Sequence, residues 1–216
     1  TALIKADAGI WTLNAANTFQ GRIVLLNGTL RFGAGGSLAP EVALAFACTT
    51  GWSFANHATF DLNGRNQTVS QLSGTPSHAS YTNILTSATA ATLTVDQAAG
   101  TLFNGRLTGA LGLVKAGAGT LTLSNYLSDT IGPVTVSNGT LALASGASLG
   151  NATNVTVSGG ALALQTAAAL ADHATLRIDD GAAVSLAGGA TETVGYLILN
   201  GVPQPRGYYG SPDSVG

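Results

Sequence analysis

The sequence predicts an all-β chain wound as a parallel β-solenoid of about ten short coils. Three observations carry that reading. The chain contains two long copies of one unit, a 21-residue period runs through the second copy, and short strand-like segments close on glycines at that period.

The long repeat is read directly. Residues 3–13 are LIKADAGIWTL and residues 113–123 are LVKAGAGTLTL, an offset of 110. IVLLNGTLRFGAGGSL at 23–38 returns as VTVSNGTLALASGASL at 134–149, offset 111, and QTVSQL at 67–72 returns as ETVGYL at 192–197, offset 125. The second copy has therefore gained residues, which its composition places in the Ala-rich stretch Gln165–Ala171. The expected organisation is one domain over 1–216, with divergent repeats at about 3–112 and 113–202 and a cap or linker at 203–216.

The short period defines the coil. Val134, Val155, Leu176 and Leu197 are each 21 apart, as are Val136, Val157, Ile178 and Leu199. Gly139, Gly160, Gly181 and Gly201 follow them. Around them lie segments such as Thr120-Leu121-Thr122-Leu123, Thr140-Leu141-Ala142-Leu143 and, in the first copy, Thr29-Leu30-Arg31-Phe32. Each alternates inward apolar and outward small residues, the period-2 pattern of a strand. Asn27-Gly28, Asn138-Gly139 and Asp180-Gly181 taken alone are β-hairpin signals. Hairpins, however, do not require the same Val/Leu pair to return every 21 residues, whereas stacked coils do. Ten coils at the inter-strand spacing of ~4.8 Å make a rod of about 48 Å.

Composition fits this architecture. Glycine supplies 29 of 216 residues, charged residues are 8% and the net charge is −2. Such low charge opposes both nucleic-acid binding, which needs clustered cations, and disorder, which needs high charge. The longest apolar run, Val42 to Cys48, is far too short to span a bilayer. One cysteine excludes an internal disulfide. Small residues suit a thin core, and uncharged walls avoid like charges stacked ~4.8 Å apart. The chain opens without Met or a signal-type apolar region, as expected of a mature or excised segment.

The run GAGTLTLS (Gly117–Ser124) followed by GPVTVSNGTLAL (Gly132–Leu143) resembles the autotransporter-associated β-strand repeat of Gram-negative surface proteins. ATFDLNGRNQTVSQLSG (Ala58–Gly74) and LNGVPQPRGYYG (Leu199–Gly210) also look like phrases of such proteins. The resemblance implies a right-handed parallel β-helix, secreted or held at the outer-membrane surface. It implies service as a stalk, fibre, enzyme carrier or adhesin, with host or matrix polysaccharide or protein as partner. The chain shows no series of ten-residue amphipathic barrel strands, so export would rest on segments outside it.

Candidate chemistry is sparse. A glycosidase needs two carboxylates about 5–9.5 Å apart. Asp96 and Asp179 are expected in one wall column, but four coils apart, roughly 19 Å. Asp179-Asp180 reads as a turn, Asp172-His173 as a surface loop, and Cys48 as a small buried hydrophobe. No calcium nonapeptide, phosphate loop or G-x-S-x-G elbow occurs, so no catalytic, cofactor or metal site is expected. Lys5 and Lys115 are equivalent, and read as solvated lysines inherited with the repeat or as a repeated surface contact. Interest therefore shifts to the two ends. Leu3 and Ile4 begin a repeat without a preceding cap, and Pro203 and Pro205 break the strand rhythm before Tyr208-Tyr209. These six residues are the candidates for self-association or capping. The expected function is a non-enzymatic extracellular scaffold or fibre subunit associating end to end; the alternative is a polysaccharide lyase or hydrolase on a β-helix.

Overall fold

The structure is a computed structural model that describes residues 2–47, 57–74, 82–124, 129–130 and 132–210. All of its regular structure is strand, and all but one of the strand pairings are parallel. One sheet runs the length of the solenoid in nine strands, from Ala2–Lys5 through Arg22–Leu25, Ala43–Phe46, Gln71–Gly74, Thr101–Phe103, Thr120–Leu123, Thr140–Leu143 and Ala161–Leu164 to Ala183–Leu186. This sheet is the first face. Nine strands make eight steps, a little short of the ten coils expected. The shortfall has a simple cause. Most steps are 20 to 22 residues, as from Ala2 to Arg22 or Ala161 to Ala183, but Ala43 to Gln71 takes 28 and Gly74 to Phe103 takes 29.

The other two faces are linked by two long strands. The first part of Thr82–Asp96 pairs with His57–Asp61 on the second face, and its last part pairs with Gln67–Val69 on the third. Between them its register against Arg106–Ala116 shifts at Ser87 to Ala91, which bends both strands around the corner. The second face is stranded early, in Ile10–Leu13, Gly28–Phe32 and His57–Asp61, and later becomes turns that bury Ala147, Leu149, Ala169 and Leu170. The third face does the reverse. It begins as the two-residue strands Ala16–Asn17 and Ser37–Leu38 and ends in the regular series Val134–Val136, Asn154–Val157, Thr175–Ile178 and Tyr196–Leu199. The 21-residue columns read from the sequence are this third face: Val134, Val155, Leu176 and Leu197 are in register, as are Val136, Val157, Ile178 and Leu199.

A single apolar core fills the interior. Its first half is aromatic: Phe32 and Phe60 meet edge to face at 5.2 Å, and Phe46 and Phe103 lie 5.3 Å apart. From Leu113 onward it is Leu, Val and Ala. The glycines of the Asn-Gly and Asp-Gly pairs sit at corners with left-handed φ, +71° at Gly28, +64° at Gly139 and +73° at Gly181. A side chain at Gly139 would place its Cβ 2.4 Å from the carbonyl oxygens of both Gly117 and Gly119, on the coil before, so the corner demands glycine twice over.

The two sequence copies do not occupy the same face. Leu3-Ile4-Lys5 lies on the first face, while its equivalent Leu113-Val114-Lys115 lies on the third. Ile10–Leu13 lies on the second face, while Thr120–Leu123 lies on the first. The second copy thus begins four coils and two faces after the first. The third block obeys the same shift. Gln67 is on the third face and its equivalent Glu192 on the second, and both side chains bond the coil before. Gln67 accepts from the Leu38 N–H at 2.9 Å and donates to the Leu38 carbonyl, and the Glu192 carboxylate accepts from the Ala169 and Leu170 N–H groups at 2.9 and 3.0 Å. The second copy's extra residues go with one additional coil, because its two coils here are shorter than the first copy's single long one, and not with a local insertion at Gln165–Ala171. The first copy takes one turn from Leu38 to Gln67, whereas the second takes two from Leu149 to Glu192, by way of Ala169.

Candidate functional site

The chain has two lysines, and both are inside. Lys5 and Lys115 have 0% exposure, which overturns the reading of either as a solvated side chain or a surface contact. Each ends an inward-facing strand immediately before a corner. The Lys5 ammonium donates to the Asp7 carbonyl, to Asp7 Oδ1 at 2.8 Å and to the Asn27 carbonyl at 3.2 Å. The Lys115 ammonium donates to the carbonyls of Ala116 at 2.5 Å, Gly117 at 2.8 Å and Asn138 at 3.3 Å. Asp7 is equivalent to Gly117, and Asn27 to Asn138, so one arrangement is built twice. The sequence did hold a signal for it: in LIK and LVK the lysine shares the parity of the inward leucine, and period-2 alternation puts both on the core face.

Four of the described acids, Asp7, Asp61, Asp129 and Asp179, form ion pairs. The Lys5 hydrogen bond holds the Asp7 carboxyl below its ordinary range, with help from the Gly9 N–H. Asp61 pairs with Arg31 across adjacent coils at 2.8 Å, Asp129 pairs with Arg106, and Asp179 pairs with Arg177 at 2.7 Å. Burial pushes the Lys115 ammonium down, and the charge of Asp96 opposes that shift. Asp96 and Asp179 do share a column, by way of Ala116, Ser137 and Ser158, and stand four coils apart. That separation, roughly 19 Å, is too wide for a carboxylate pair. Two shallow depressions adjoin at Asn66 and Thr92 on the third face; Thr68, Thr94, Gly112 and Pro133 also line them, and none of their lining residues is titratable. Among the described residues no three His, Cys, Asp or Glu side chains gather as a metal site. Cys48 and Asp213 lie outside the described residues.

The ends hold the exposed apolar surface. Of nine large hydrophobic side chains exposed among the described residues, Ile4, Ile10 and Trp11 lie on the first coil. Leu186, Tyr196, Val202, Tyr208 and Tyr209 lie on the last coil or just after it, and Leu102 alone lies between. Leu3 faces inward and is half-buried, and Trp11 stands in the inward column of Leu30 and Phe60 with its ring 5.3 Å from the Lys5 ammonium. At the other end Val202–Pro203 folds back antiparallel on Tyr196–Leu199, and the Gln204 N–H donates to the Leu197 carbonyl at 2.8 Å. The tail thereby covers the last strand of the third face and leaves the first-face strand Ala183–Leu186 with a neighbour on one side. The Tyr209 hydroxyl donates to the Pro205 carbonyl at 2.5 Å, and Tyr208 is fully exposed.

Comparison with protein families matches the passenger-associated-transport-repeat at residues 3–32 and 113–143. No curated protein and no solved structure matches the chain. The matched segments are the two that carry the buried lysine and its Asn-Gly corner. The repeat indicates a structural domain and implies a secreted or outer-membrane surface location. The chain is a parallel β-solenoid in which two segments match the passenger-associated-transport-repeat, the second four coils and two faces after the first.

Proposed function

We propose that the chain is a non-enzymatic extracellular scaffold whose end coils associate with those of another copy to form a longer stalk or fibre. The observation that carries this reading is the distribution of exposed apolar side chains, eight of nine on the first coil or on the last coil and its tail. Large apolar groups clustered where a sheet has free edges mark a surface that gains by being covered. The two edges are compatible: Ala2–Lys5 and Ala183–Leu186 belong to one sheet, run parallel, and alternate inward and outward alike. Adhesion to host or matrix polymers would then use the walls.

The test is sedimentation over a wide concentration range, with the particles imaged. The expected result is mass rising with concentration and rods lengthening in multiples of one chain. Replacing Ile4 and Tyr196 by glutamate should abolish growth. A strict monomer at high concentration would overturn the association.

A further inference from the structure

We propose that the lysine of each repeat is an internal latch: its ammonium fills a carbonyl-lined cation site built from two consecutive coils, and so fixes the register in which the second coil docks.

Three observations support this. First, the acceptors come from two coils. Asp7 O belongs to the corner that follows Lys5, and Asn27 O to the next coil's corner; Ala116 O and Gly117 O stand in the same relation to Asn138 O. The site is therefore complete only once the second coil is in place. Second, the columns that hold the lysines are otherwise apolar. Lys5 stacks on Leu25 and Phe46, and Lys115 lies between Val95 and Val136. A Leu or Val would satisfy packing there, but it would take the ammonium donor from the Asp7, Asn27, Gly117 and Asn138 carbonyls. Third, the arrangement recurs on different faces, so it belongs to the repeat and not to one location in the solenoid. A sliding register would carry the Asn carbonyl away from the ammonium, and a buried ammonium without acceptors is strongly disfavoured. The latch therefore penalises slips by two residues, which keep the inward Leu and Val on the core face and so escape the apolar pattern.

The test compares Lys115→Met and Lys5→Met with the wild type by native-state amide hydrogen exchange. Methionine keeps the length and loses the donors. In Lys115→Met, amides of 117–119 and 137–139 should exchange about tenfold faster or more, the factor expected for losing hydrogen bonds to a buried charge, with the Lys5 corner unchanged. Lys5→Met should do the converse. A methionine variant as protected as wild type at its own corner, or one that loses protection evenly along the chain, would overturn the latch. Should either variant fail to fold, ¹⁵N-lysine spectra of the wild type near neutral pH decide. Two slowly exchanging ammonium signals support the latch, and rapidly exchanging ones overturn it.

Discussion

The two lysine corners use one design in different surroundings, and their sequence differences follow those surroundings. Around Lys115 a preceding coil is present. Asp96 on that coil supplies negative charge, and Gly117 has no room for a side chain, because its Cβ would come within 2.4 Å of the Gln97 carbonyl oxygen. Around Lys5 no coil precedes among the described residues. There the position of Gly117 is taken by Asp7, which brings its own carboxylate to the ammonium, and that of Leu121 by Trp11, whose ring covers it. The Lys5 corner has a carboxylate in its own turn, whereas the Lys115 corner, the inner one, takes its negative charge from a neighbouring coil.

The largest expected effects break both corners alike. Gly28→Ala and Gly139→Ala each force a left-handed φ on a side chain whose Cβ would sit about 2.4 Å from two backbone oxygens. Each should cost about 3 kcal/mol or more by denaturant unfolding. Gly181→Ala has the same backbone requirement at φ +73° but nothing within 4 Å, and should cost about 1 kcal/mol. Similar losses at Gly139 and Gly181 would show that the neighbouring coil does not crowd the inner corner.

Trp11→Leu gives the Lys5 corner the residue type that the Lys115 corner has at Leu121. It should destabilise by about 1 kcal/mol through lost ring cover, and faster exchange should be confined to the first coil. Asp7→Asn separates the corners by pH. The Asp7 carboxyl is held below its ordinary value in the folded chain, so its contribution is present above that value and lost as pH falls through the depressed one. Acid unfolding of the wild type should therefore include an Asp7-dependent loss at the first coil. Asp7→Asn should be less stable at neutral pH and lack that loss, and an unchanged acid limb would refute the pairing.

Much of the fold was legible because a stacked sheet repeats its inward residues. The Val134 to Leu197 column and the positive-φ glycines stand where the 21-residue period put them. The shift of two faces was not legible, because aligning two copies matches residues and carries no information on how many faces separate them. It depends on the long strands Thr82–Asp96 and Arg106–Ala116, which turn a corner without ending, the first with no glycine and the second at Gly109, where φ is +75°. The period of about 21 residues implies ten coils, but steps of 28 and 29 residues reduce the number. The place of the lysines is hidden by their charge, which opposes burial although their parity points inward. Lys5 and Lys115 sit on the core face only because a corner of carbonyls, contributed by residues more than 20 positions away, receives them.

The most direct test of this account is acylation of amines in the native protein, located by mass spectrometry. The wild type should react at its α-amino group while Lys5 and Lys115 remain unmodified, and both should react once denaturant unfolds the solenoid. Native-state modification of Lys5 and Lys115 at the rate of the unfolded chain would contradict the buried corners and the coil stacking built on them.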